Sequence, residues 1–149
     1  MAEITSGKWN PYSEYVYRQG LGEINLTQHV FNVALLTPSY TPNSNTQTTF
    51  ADISSHELSV EGYPSGGKPI TSKTLTRFDS DNKVNWNCGV IDFGFFEVPS
   101  SIKYAVIYDD SHPEDLLVTW CYLDGNEETI ETTKIYILFD NGILNFIKV

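Results

Sequence analysis

Thiols are scarce in this chain. Its 149 residues hold two cysteines, Cys88 and Cys121, far apart and outside any C-x-x-C. A disulfide scaffold or a zinc knuckle needs more thiols at tighter spacing. Two readings remain for the pair: small buried hydrophobes, or one bridge between neighbouring strands. Positive charge is scarce as well. Nine Lys and Arg stand against nineteen Asp and Glu, a formal charge of −10, so the chain is not expected to bind nucleic acid, which requires a cationic face. No apolar run approaches the roughly 18–20 residues of a membrane span, and no membrane partner is expected. Residues 1–20 lack a basic region followed by an apolar one, so no signal peptide is read there and synthesis in a cytoplasm is expected. Repeats and low-complexity tracts are missing too.

Aromatics are abundant: nine Tyr, eight Phe and three Trp, which with many Thr, Val and Ile favour pleated, half-buried surfaces. Turn signals recur at 62–67, 79–82, 109–115, 124–128 and 140–142. Short strands between such turns predict an all-β chain, an antiparallel sandwich or barrel. Residues 30–36 read as a central strand. Residues 102–108 place Ile102, Tyr104, Val106 and Tyr108 on one face, and strands are expected at 116–122 and 133–139. Asn141-Gly142 after Asp140 predicts a type I′ hairpin joining the last strand to 143–149. One or two short helices are expected. In the first, Asn10 caps, Pro11 takes the first position and Gly20 stops it; the second lies near 48–54 and seats Phe50 and Ile53. The polar loop 37–49 is long enough to be functional or mobile.

The expected organisation is an N-terminal aromatic-rich arm at 1–19 and one β-domain at 20–149. The arm holds Trp9, Tyr12, Tyr15 and Tyr17. It either folds back over the open end of its own domain or docks on a neighbouring chain, where Trp and Tyr make favoured anchors.

Catalytic patterns are mostly missing. Gly62 to Lys68 matches G-x-x-x-x-G-K, but Pro69 stands where a phosphate-binding loop needs Ser or Thr, and strand-like residues follow instead of a helix; a Gly-rich hairpin turn is expected. His29, His56 and His112 have no metal-ligand spacing, and Ser111-His112 is a turn dipeptide, not a nucleophile with its base. Asp109, Asp110, Glu114, Asp115, Asp124, Glu127, Glu128 and Glu131 form an acidic stretch. A meander would divide it into two solvated turns; the functional alternative is calcium. Asp79 opens D-S-D-N like an EF-hand loop, but Val84 stands where that loop needs Gly. A carboxylate pair for glycosidase chemistry has no specific support. No metal or other cofactor is expected, and a β-fold hydrolase is the third-ranked class.

Residues 20–149 resemble a widespread group of small bacteriophage structural proteins. The resemblance rests on Gly22, Ile24 and Leu26; Ala34, Leu35 and Thr37; Tyr40, Thr41 and Pro42; Phe50 and Asp52; Glu57 or Glu61 with Gly62, Tyr63, Gly66 and Gly67; Lys73, Thr74 and Trp86; the run 104–110; and 142–144. It implies a non-enzymatic virion protein (head cement or decoration protein, head fibre or part of the tail apparatus), and the expectation taken first is a cement or decoration protein that binds the assembled lattice. Its partners would be the major capsid protein or other virion subunits, and its own copies in a homotrimer or dimer. Trp9, Tyr12, Tyr15 and Tyr17 are the first expected contacts and Tyr40 the second. The alternative is a fibre or tail-tip module recognising a host receptor or glycan, with Tyr40, Asn43 and Asn45 in the long loop. The aromatic arm and both cysteines depart from the group's pattern.

Overall fold

In the computed structural model the backbone is described for residues 2–5, 7–139 and 142–147, and side chains for 7–139 and 142–144. The chain is a mixed α/β fold with several antiparallel sheets and one short helix. The largest sheet runs β2 (Asn10–Pro11), β9 (Leu116–Tyr122), β8 (Tyr104–Asp109), β3 (Phe31–Leu36) and β4 (Lys68–Pro69). A second joins β1 (Ala2–Thr5), β10 (Ile130–Leu138) and β7 (Ile91–Ile102), with β1 parallel to β10. A third joins β11 (Leu144–Ile147), β6 (Lys83–Asn87) and β5 (Thr74–Phe78).

The central strand at 30–36 forms as β3, and its six residues are buried apart from half-buried Asn32. All six residues of β8 are buried, so the largest sheet is covered on both faces. Cross-strand register assigns the faces. Phe31, Val33 and Leu35 lie opposite Asp109, Ile107 and Ala105 and share one face with them; Leu36, Ala34 and Asn32 lie opposite Tyr104, Val106 and Tyr108 on the other. The first face meets the other sheets, where Phe31 packs edge-on to Trp86 at 4.9 Å. The second is covered by the loop 37–49 and by Phe50, whose ring stacks on Tyr108 at 4.2 Å. One buried cluster runs through all three sheets and includes Trp9, Tyr12 and Tyr15 from the N-terminal segment.

Three local expectations are corrected. Helix α1 spans Ser13–Gly20 and begins two residues later than a cap at Asn10 would give, because Asn10 and Pro11 pair with Trp120 and Thr119 as β2. Proline loses no ladder donor at such an edge. Tyr12 is the residue before the helix, Glu14 and Arg18 suit its dipole, and their side chains pair at 2.7 Å. The expected second helix is two 3₁₀ turns, Phe50–Asp52 and Ser54–His56, with Ile53 buried between them. The expected terminal hairpin does not pair its own arms: β10 pairs with β7 and β1, whereas β11 pairs with β6. Asp140 and Asn141 themselves lie outside the described residues.

Candidate binding surface

Four of the five expected contact residues lie inside the chain's own core. Trp9 stacks on Phe139 at 5.8 Å. Tyr12 and Tyr40 are fully buried and share a 2.7 Å hydrogen bond, and the Tyr40 hydroxyl donates to Gln47 Oε1 at 2.6 Å. Burial pushes the Tyr12 and Tyr15 hydroxyls far above their ordinary range, and that of Tyr40 up to about 12. The segment around α1 is thus fastened to its own largest sheet, and the Tyr12 amide donates to Val118 O at 3.0 Å. Tyr17 differs. It is 61% exposed, flanked by exposed Val16 and Leu21.

The long loop is pinned rather than loose. Gln47 accepts from the Asn43 amide and donates to Thr41 O. Asp52 accepts from the amides of Thr48 and Thr49, and these bonds hold its carboxyl below the ordinary range. Trp120 donates to Ser44 Oγ at 3.0 Å. Trp120 and Tyr122 remain half-buried beside the loop, edge-on to each other at 5.4 Å.

The glycine-rich segment at 62–67 is not a hairpin turn but a loop wedged between two strands. Gly62 has φ +92°, and a Cβ there would meet Phe95 O at 1.9 Å. Gly67 has φ +82°, and a Cβ there would meet Val33 O at 1.9 Å. L side chains are excluded at both positions by conformation and by space. Glu57 fixes the loop from within: its Oε1 accepts from Tyr63 at 2.8 Å and from the Gly66 amide at 2.7 Å. Tyr63 also accepts from the Leu35 amide, and Tyr108 donates to Gly66 O. Burial pushes the Glu57 carboxyl up, against the pull of its two donors. Beside the loop opens a cleft of about 440 Å³ lined by Ser54, Glu57, Glu61, Tyr63 and Glu97. Three carboxylates suit an ammonium or guanidinium group and oppose a phosphate.

The acidic stretch divides as a meander requires: 109–115 lies at one end of β9 and 123–128 at the other. Among the described residues no cluster could hold a metal ion. The imidazoles serve local structure. Fully buried Asp109 meets His29 Nδ1 at 2.6 Å and accepts from the amides of Ser111 and His112. His112 lies 3.5 Å from Glu23, which pairs with Arg18. Both cysteines are free thiols, Cys121 fully buried and Cys88 partly.

Sequence reasoning missed the most exposed apolar side chains. Phe95 is 70% exposed and Val98 80%, both on β7. Across the sheet, Lys134 holds its ammonium 4.5 Å from the Phe95 ring centre and 4.7 Å from that of Tyr136. The available signal was the run 91–98, whose apolar alternation breaks at Phe95-Phe96 and puts one ring outside. No protein-family model, no curated protein and no solved structure matches the chain.

Proposed function

We propose that this chain is a non-enzymatic structural protein of a bacteriophage particle, a capsid cement or decoration protein whose three sheets close as a β-sandwich around one core. One observation carries the reading: Phe95 and Val98 stand in water on the longest strand, where they add nothing to the chain's own core. Exposed aromatic side chains are favoured anchors of a protein contact, and Phe95 stands beside the Lys134 ammonium. The resemblance of residues 20–149 to small phage structural proteins supplies the partner, the major capsid protein or another virion subunit. Binding only the assembled lattice would stabilise it by mass action. The location that follows is the virion, after synthesis in a host cytoplasm.

Deleting residues 1–19 is a poor test, because Trp9, Tyr12 and Tyr15 belong to the core. The cleaner test replaces Phe95 and Val98 by Ser and measures occupancy on purified capsids. The double variant is expected to fold and to leave the capsid; full occupancy would overturn the reading.

A second reading, a fibre or tail-tip module for a host glycan, draws on half-buried Trp120 and Tyr122 beside Ser44, Asn45 and Asn10. Aromatic faces with neighbouring amides suit sugar rings. Glycan-array binding that is lost in Trp120→Ala would favour it, whereas Tyr40 is buried and would contribute only by holding the loop.

A further inference from the structure

β5 and β6 form a hairpin whose outer strand, β5, lies open to solvent. All five residues of β5 are exposed, on both faces. β6 is anchored by fully buried Trp86, whose Nε1 donates to Leu26 O. β5 lies at the margin of its sheet and pairs with β6 on one side. Among the described residues no strand pairs with its other side. A strand with both faces in water gains little from burial, and an open edge is a template for another strand. Leu75 and Phe78 add exposed apolar surface at 47% and 41%.

We infer that this edge is completed by β5 of a second copy, antiparallel about a two-fold axis through Thr76. Overlap and charge select the occupant and the register: only an axis through Leu75, Thr76 or Arg77 lays three or more residues of β5 against its copy, and charge decides among the three. Residues directly opposite in an antiparallel pair must share a face, so the axis has to pass through a residue, not between two. An axis through Leu75 sets Lys73 against Arg77 of the second copy, and one through Arg77 sets the two guanidinium groups together. Both oppose like charges, which is destabilising. An axis through Thr76 sets Lys73 against Asp79 of the second copy, twice, and Arg77 against Leu75. On the other face Thr76 meets Thr76 and Thr74 meets Phe78, the β-branched and aromatic pairings that sheets favour. Lys73 precedes the strand and Asp79, the first residue of a 3₁₀ turn, follows it, so the two flanks carry opposite charge and meet when the strand is reversed. Asp79 already holds Arg77 of its own chain at 2.7 Å, and Lys73 contacts His29 O and the Phe31 ring, so the ammonium has to share itself between these contacts and Asp79 of the second copy. These residues are distinct from Phe95 and Val98, so the inference stands if capsid binding fails.

The test is disulfide trapping in a Cys88→Ser background, with buried Cys121 kept. Directly opposite Cα atoms lie about 4.5–5.5 Å apart, within disulfide reach. Thr76→Cys is expected to cross-link into a dimer under mild oxidation. Thr74→Cys is expected to stay monomeric, because its two copies would lie on the order of 14 Å apart. Circular dichroism confirms that each variant is folded, and sedimentation equilibrium of the unaltered chain gives an independent reading, with a doubled mass expected. Asp79→Lys should shift this equilibrium to monomer, and adding Lys73→Glu should restore the dimer. A monomeric unaltered chain, or equal trapping at positions 74 and 76, would overturn the inference.

Discussion

Tyr63→Phe isolates the link that holds the glycine-rich loop. The ring of Tyr63 packs between Phe93 and Phe96, with centres 6.0 and 5.9 Å away, and phenylalanine keeps that packing. The hydroxyl is lost, and two things go with it. Glu57 loses a donor at 2.8 Å, and the buried Leu35 amide loses its acceptor at 3.0 Å. A bond to a charged group is worth about 1.5–3 kcal/mol and an orphaned buried donor costs about 1–3; with overlap between them, the loss is about 2–4 kcal/mol. That is a large part of the roughly 5–15 kcal/mol of a typical domain. In urea it corresponds to a midpoint about 1–2 M lower.

The pH dependence has a definite sign. Burial raises the Glu57 carboxyl in the folded chain above its unfolded value, and the Tyr63 bond pulls it part of the way back. A raised carboxyl costs nothing below its unfolded pKa; the cost grows as pH rises through that value toward the folded one. Removing Tyr63's hydroxyl lifts the folded value further. The deficit of the variant should therefore be larger at about pH 7 than at about pH 4, where most carboxylates are near half-protonation. Equal midpoints for variant and parent would refute the hydrogen-bond argument. An equal deficit at both pH values would assign the whole effect to the Leu35 amide and remove Glu57 from it.

Other outcomes follow from single contacts. Gly62→Ala should destabilise by at least about 2–3 kcal/mol in chemical denaturation, because the positive φ and the approach to Phe95 O both resist a Cβ. Asp109→Ala should cost about 3–5 kcal/mol, since it strips a buried partner from His29 and an acceptor from two amides; a midpoint within error of the parent would count against that. Burial pushes the Cys88 thiol up to about 12 and that of Cys121 higher still. Native protein should therefore react slowly with Ellman's reagent at about pH 8 and release two thiols once unfolded; fewer than two would show a disulfide. Phe95→Ser with Val98→Ser should leave the unfolding midpoint nearly unchanged, within about 0.5 kcal/mol, as fits exposed sites.

The strands with clean patterns were legible. Residues 30–36 and 116–122 are apolar runs bounded by turn residues, and they form β3 and β9 within a residue of the reading. β7 was not anticipated: Gly94 and Pro99 interrupt its pattern, and Pro99 is tolerated where the strand lies at a sheet margin and its register against β10 is irregular. Local periodicity does not reveal the partner of a strand. Asn141-Gly142 looks like a hairpin turn, yet the strand after it joins β6, nearly sixty residues earlier in the chain. The two readings of the aromatic arm could not be separated for a related reason. Trp9, Tyr12, Tyr15 and Tyr40 are as fit for a core as for an interface, and which surface covers them is decided by tertiary packing, here by β9 and the loop 37–49.

Lys73 and Thr74 apart, the residues that carry the resemblance and those offered to a partner are different sets. Glu57, Tyr63, Gly66 and Gly67 bind backbone to backbone, Phe50 stacks on Tyr108, and Trp86 anchors a hairpin. Each holds a turn or a strand in place by contacts within the chain. A pattern made of such residues speaks to architecture, and one architecture serves many functions. Tyr17, Phe95 and Val98 stand outside that pattern and in water. Two chains could share every structural contact above and dock on unrelated lattices through these three positions. Substitutions at Glu57 or Tyr63 therefore measure folding, whatever their effect on a particle. A partner is identified only by changes at the exposed side chains that leave the unfolding midpoint where it was.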